Sequence, residues 1–116
     1  ATVIRHTGRW KRTYQPGIYF SGVGNAYLNN VLHDSPHQGM TGYGNDHRFI
    51  GNTFERLCHE TSDASAWYQG RSFAQRGSVL RGNVFRDIRR LAPSGYVAGF
   101  AVAVYFDDQI SGAQTS

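Results

Sequence analysis

The chain has 116 residues, 14 of them glycine, with 40% hydrophobic and 14% aromatic residues and a formal net charge of +4 at pH 7. That length is one domain, or a piece of one, and that apolar content supports a core and argues against disorder. No apolar run reaches membrane-spanning length, and a single cysteine, Cys58, excludes an internal disulfide.

Short apolar segments bounded by Gly and Asn follow one another along the chain. Gly17-Ile18 opens the first. Tyr27-Leu28-Asn29-Asn30-Val31-Leu32 comes next, with a large apolar residue three before Asn30 and another two after it. Gly39-Met40 repeats the first landmark at an interval of 22 (17 to 39). Phe49-Ile50-Gly51-Asn52-Thr53-Phe54 repeats the second at the same interval (30 to 52). The offsets from Ile18 to Asn30 and from Met40 to Asn52 are both 12. Ala66-Trp67-Tyr68 and Leu80-Arg81-Gly82-Asn83-Val84-Phe85 form the third set, now 16 apart (67 to 83), which implies an insertion of four within Arg71–Gly77. Ala103-Val104-Tyr105-Phe106 begins a fourth strand.

A period in the low twenties with Gly and Asn at corners fits a solenoid of short strands and turns. One turn of such a chain cannot bury its apolar face, but stacked turns can, at a strand spacing of about 4.8 Å. Equivalent asparagines then form a hydrogen-bonded ladder, and Asn also accepts the left-handed backbone of a sharp corner. An antiparallel sandwich or barrel shares the short strands, but not the identical offsets between two different landmarks. No stretch holds an apolar stripe of helical period over three turns. The predicted fold is therefore all-β: a right-handed parallel β-helix (solenoid) of about four coils, residues 1–116 being a single domain or a fragment of a larger one. No secretory leader is evident, which reads as a mature segment or a piece of something longer.

Basic residues cluster at Arg5–Arg12 and at Arg86–Arg90, the second reading as an exposed turn. No nucleic-acid motif accompanies them, so charge is the sole pointer to nucleic acid, and an anionic polysaccharide fits it equally well. Cys58 reads as a buried apolar thiol, without the Cys/His spacing of a metal site. No metal or cofactor is expected.

Several segments resemble the right-handed parallel β-helix proteins of the pectate-lyase-like superfamily, and within it the glycoside-hydrolase-like members. They are Asn29–His37, Gly44–His47, Glu60-Thr61-Ser62-Asp63-Ala64-Ser65-Ala66-Trp67-Tyr68-Gln69-Gly70-Arg71, and Val104-Tyr105-Phe106-Asp107-Asp108 through Ser111-Gly112. The resemblance implies a carbohydrate-active protein, extracellular or periplasmic, acting on a polysaccharide or oligosaccharide. It also points to the segments holding Asp63 and Asp107-Asp108.

Glycoside hydrolysis needs two carboxyl groups flanking the scissile bond, one protonated and one ionised. Asp63 precedes the third strand and Asp107-Asp108 end the fourth, so adjacent repeats place them at one groove. Stacking by landmark sets Arg71 beside Asp108, a partner that would keep it ionised. Glu60 near Asp63 would raise that partner's pKa by like-charge repulsion. The predicted catalytic set is Asp63 and Asp108, with Asp107. Arg71, Glu60, Tyr68, Tyr105, His37 and His59 are the predicted substrate-binding set, the two histidines sharing one rim. Tyr19, Tyr68 and Tyr105 should form an outward row, a platform for sugar rings, with Trp67 in the core beneath. Asp63, Asp107 and Asp108 are alternatively plain turn-bonding aspartates. Two other functions are open. One is a non-catalytic glycan-binding or self-assembling solenoid, oligomeric through open β-helix ends. The other is a polysaccharide lyase using Arg71 or Arg76 as base, since the one lysine, Lys11, is remote; Asp107-Asp108 alone is too thin a calcium site.

Overall fold

A computed structural model describes residues 1–91 and 100–116. Those residues form twelve β-strands and no helix: β1 (Val3–Arg5), β2 (Ile18–Phe20), β3 (Ala26–Leu28), β4 (Val31–Ser35), β5 (Met40–Gly42), β6 (Arg48–Ile50), β7 (Thr53–Leu57), β8 (Ala64–Gly70), β9 (Val79–Arg81), β10 (Val84–Ile88), β11 (Ala101–Asp107) and β12 (Gln114–Thr115). The chain deals them in rotation into three four-stranded sheets: β1-β4-β7-β10, β2-β5-β8-β11 and β3-β6-β9-β12. Every pairing is parallel. The protein is thus all-β and parallel-stranded, compatible with a solenoid.

Register follows the landmarks. Ile18, Met40, Trp67 and Val104 pair in one row of the second sheet. Alternation along these strands sends Phe20, Met40 and Trp67 inward, where they are fully buried with Phe49 and Phe54. Phe20 packs on Phe49 with ring centroids 4.8 Å apart, and Phe49 on Trp67 at 5.1 Å. Burying each such side chain contributes about 1.5–3 kcal/mol, so this cluster adds substantially to the stability of the core.

The corner between the third and first sheets is two residues long each time. Its first residue is left-handed: Asn29, Gly51 and Gly82 have φ of 54°, 65° and 59°. A Cβ on Gly51 would lie 2.4 Å from Asn29 Oδ1, so a side chain there would have to displace the Asn29 amide and carry the cost of a left-handed backbone. The second residue is the ladder. Asn30 Nδ2 donates to Asn52 Oδ1 at 3.0 Å, and Asn52 Nδ2 donates to Asn83 Oδ1 at 3.1 Å. Backbone N–H groups of Asn30 and Asn52 donate to the same oxygens at 3.0 and 2.9 Å.

The first sheet differs from expectation. Arg86, Asp87 and Ile88 belong to β10 rather than to a turn, paired with β7 through Arg86–Glu55 and Ile88–Leu57. The polar run is strand because only one face of that sheet is buried. A column of left-handed residues, His6, Asp34, Arg56 and Asp87 (φ 55°, 54°, 49° and 50°), kinks the sheet at one level.

Length varies at the ends of the second sheet. The step from β1 to β4 is 28 (Arg5 to His33) but from β2 to β5 only 22 (Ile18 to Met40), so six extra residues precede β2. The step from β4 to β7 is 22 (Ser35 to Leu57) and from β5 to β8 is 27 (Met40 to Trp67), so five extra precede Trp67. From β6 to β9 it is 31 (Arg48 to Val79), which locates four more after β8. Arg76 bonds to Asn45 and Asp46 across these turns, fixing the four between Gln69 and Arg76, as the spacing predicted. In solenoids such insertions gather on one face, often the binding face.

Candidate functional site

Strand alternation that buries Trp67 turns its neighbours outward. Tyr19, Thr41, Tyr68 and Tyr105 pair in one row on the outer face of the second sheet. The lengthened segments rise around this row. Together they enclose a cavity of about 250 Å³ lined by Tyr14, Pro16, Tyr19, Gln38, Thr41, Tyr43, Asp63, Tyr68, Arg71, Tyr105 and Asp107. Tyr68 and Tyr105 meet edge to face at 5.7 Å, and Tyr19 meets Tyr43 in the same way at 5.9 Å. Such pairs hold rings in place while leaving faces for a ligand.

Asp107 is the electrostatic centre. It stands two residues after Tyr105 on β11, so it shares the outward face, while most of its surface is covered. The Tyr68 hydroxyl donates to Asp107 Oδ2 at 2.6 Å and Arg71 Nε donates to the same oxygen at 3.0 Å. The Asp108 N–H donates to Oδ1 at 2.9 Å. These bonds, the Tyr68 hydroxyl first, hold the Asp107 carboxyl at a pKa of about 2. Tyr68 moves the other way, to about 12, through burial and the adjoining carboxylate. Three donors leave part of the carboxylate's acceptor capacity free, since its two oxygens offer about four lone-pair sites. Asp63, exposed at the start of β8 in a left-handed conformation (φ 51°), is the second carboxylate at the cavity.

Of the residues predicted from sequence, Asp63, Asp107, Arg71, Tyr68 and Tyr105 meet here. Four do not. Asp108 gives its backbone carbonyl to Arg71 N–H at 2.6 Å, but its side chain is exposed beyond the strand. The expected Arg71–Asp108 ion pair is thus an Arg71–Asp107 pair, because Asp107 shares the face of Tyr68 and Tyr105. Glu60 turns from Asp63 to Arg12, whose Nε donates to Oε2 at 2.8 Å. That bond lowers the Glu60 pKa, so Glu60 does not act on Asp63 as expected. His37 and His59 do not share a rim. His37 is buried, its Nδ1 accepting the Tyr14 N–H at 3.0 Å, and desolvation lowers its pKa. His37 therefore reaches the cavity only by positioning Tyr14. His59 lines a different, more open cavity of about 530 Å³ with His6, Arg9, Arg12 and Asp34. Asp34 there is committed to Arg56, whose Nη2 donates to Oδ2 at 2.9 Å.

Tyr14 and Tyr43 were missed. Tyr43 was available: it stands two after Thr41, so the same alternation turns it outward. Tyr14 sits in an extra-length segment that no period describes. His47, within a matched segment, is a buried structural residue: Nδ1 accepts the Asn25 N–H at 3.2 Å, and Nε2 bonds the Tyr43 carbonyl at 3.0 Å. Cys58 is buried, and desolvation pushes its thiol to about 12, which leaves it without nucleophilic character at neutral pH. Among the described residues, no three His, Cys, Asp or Glu side chains gather as a metal site.

No family model, curated protein or solved structure matches the chain.

Proposed function

We propose that the chain is a right-handed parallel β-helix of about four coils, of the pectate-lyase-like kind. We further propose that the outer face of its second sheet binds a polysaccharide or oligosaccharide, with Asp63 and Asp107 as the carboxyl pair of a glycoside hydrolase. The observation that carries this reading is the tyrosine row sharing one cavity with both carboxylates. Tyrosine faces suit the apolar faces of sugar rings while their hydroxyls meet the sugar's own. Asp107, kept ionised by Tyr68 and Arg71, suits the base or nucleophile. Asp63, on the other lengthened segment, takes the role of proton donor to the leaving oxygen. Asp108 is a control position rather than a participant.

A second reading, a non-catalytic glycan-binding module, draws on the same cavity. It is favoured by the three donors already on Asp107, which also describe a purely structural aspartate. One assay separates the two. A panel of polysaccharides is incubated with the protein and scored for reducing ends and for the ultraviolet absorbance of unsaturated products. Hydrolysis predicts reducing ends without new absorbance, at least a hundredfold reduced by Asp63→Asn and by Asp107→Asn and little changed by Asp108→Asn. New absorbance points instead to a lyase. Binding without cleavage, insensitive to either asparagine, leaves the binding module. The edges of the outermost strands also invite pairing between copies; light scattering that shows only monomer removes that part of the proposal.

A further inference from the structure

We infer that this cavity selects an amine-bearing, cationic glycan over a polyuronate, an inference that rests on the glycan-binding reading above, in which Asp63 is an ionised carboxylate and not a proton donor. Three charged side chains line the cavity: Asp63, Asp107 and Arg71. Arg71 is already engaged, its Nε 3.0 Å from Asp107 Oδ2. The Asp63 carboxylate has no hydrogen-bond or ion-pair partner among the described residues. The cavity therefore carries a net charge of −1, opposite in sign to the +4 of the whole chain. The excess positive charge lies elsewhere: Arg9 and Arg12 line the separate cavity beside His59.

The aromatic wall adds to this sign. Tyr14, Tyr19, Tyr43, Tyr68 and Tyr105 present rings whose faces are electron-rich and attract an ammonium. The Tyr68 hydroxyl donates to the Asp107 carboxylate at 2.6 Å, which fixes that ring in the wall of the cavity. A protonated amino sugar thus meets ring faces and the open carboxylate of Asp63 together. A polyuronate meets the same carboxylate as a like charge, a repulsion that is strongest at low salt because Asp63 is exposed. An N-acetylated sugar keeps the ring contacts and forgoes the charge.

The test is calorimetric titration of the intact chain with three oligosaccharides of equal length: glucosamine, N-acetylglucosamine and galacturonate oligomers. The pH is set where the amine is protonated and the uronate ionised. The glucosamine oligomer is expected to bind at least about tenfold tighter than the N-acetylated one, with an affinity that falls as salt rises. Asp63→Asn should remove that advantage and its salt dependence with the circular dichroism spectrum unchanged; an advantage that survives the substitution overturns the inference. A galacturonate oligomer that binds tightest, and is weakened by Arg71→Gln, overturns the charge selection and leaves the carbohydrate reading standing. Equal affinity for the amine and its acetylated form does the same. No binding of any of the three overturns the carbohydrate reading, and this inference with it.

Discussion

At the corner between the third and first sheets the chain takes the same two-residue path three times, through Asn29-Asn30, Gly51-Asn52 and Gly82-Asn83. On its way into the second sheet the offset differs in every repeat: 13 from Arg5 to Ile18, 7 from His33 to Met40, 12 from Glu55 to Trp67 and 18 from Arg86 to Val104. The corner is constant because the Asn52 amide bonds Asn30 on one side and Asn83 on the other, so a residue added there would break both rungs at once. The entries to the second sheet carry no such ladder. They are free to change length, and they are where Tyr14 and Asp63 reach the cavity. Regularity here belongs to stability, and irregularity to the surface chemistry.

The largest effect should come from moving irregularity to the wrong place. A Gly-Ser insertion between Asn52 and Thr53 separates the ladder from β7, and is expected to abolish cooperative unfolding as followed by circular dichroism. The same insertion after Ser62 should cost less than about 1 kcal/mol, because lengthening an existing loop is entropically cheap. Similar losses at both positions would erase the distinction.

A smaller, graded effect is expected from Asn52→Ala. It leaves the Asn30 N–H and the Tyr27 carbonyl without the partners they have at 3.0 and 2.8 Å. An unsatisfied buried group costs about 1–3 kcal/mol and these two are only partly buried, so urea unfolding should show a loss of about 2–4 kcal/mol. A loss below about 1 kcal/mol would mean the ladder is ornament.

The smallest effect concerns acid. The Asp107 carboxyl lies at about 2 in the folded protein against an ordinary 3.8. Its pKa is depressed on folding, so its contribution is fully present above pH 3.8 and disappears as the pH falls through 2. Asp107→Asn should flatten that part of the acid-unfolding curve, and Asp108→Asn should not. Identical curves for both variants would contradict the placement of the Tyr68–Asp107–Arg71 group.

The two regions were also unequally legible. The ladder could be read because identical chemistry recurs at a fixed period, and the insertion of four after β8 showed as a changed offset between Trp67 and Asn83. The tyrosine row followed from alternation once Trp67 was assigned inward. The choice between Asp107 and Asp108 did not follow, although Tyr105 two residues earlier held the needed parity; the Arg71 landmark drew attention to the backbone neighbour instead. Glu60–Arg12 and His37–Tyr14 join segments outside the repeat, where no periodic signal exists. The left-handed column His6, Asp34, Arg56 and Asp87 was invisible because its four residues share a backbone shape and not a residue type.

The claim that the outer face of the second sheet is the ligand site is tested most directly by following backbone amide resonances during titration with a bound oligosaccharide. Shifts concentrated at Tyr14, Thr41, Tyr68, Arg71 and Asp107, with Asn30, Asn52 and Asn83 silent, are the predicted result. Shifts centred on Arg9, Arg12 and His59, with the tyrosine face unmoved, would contradict it.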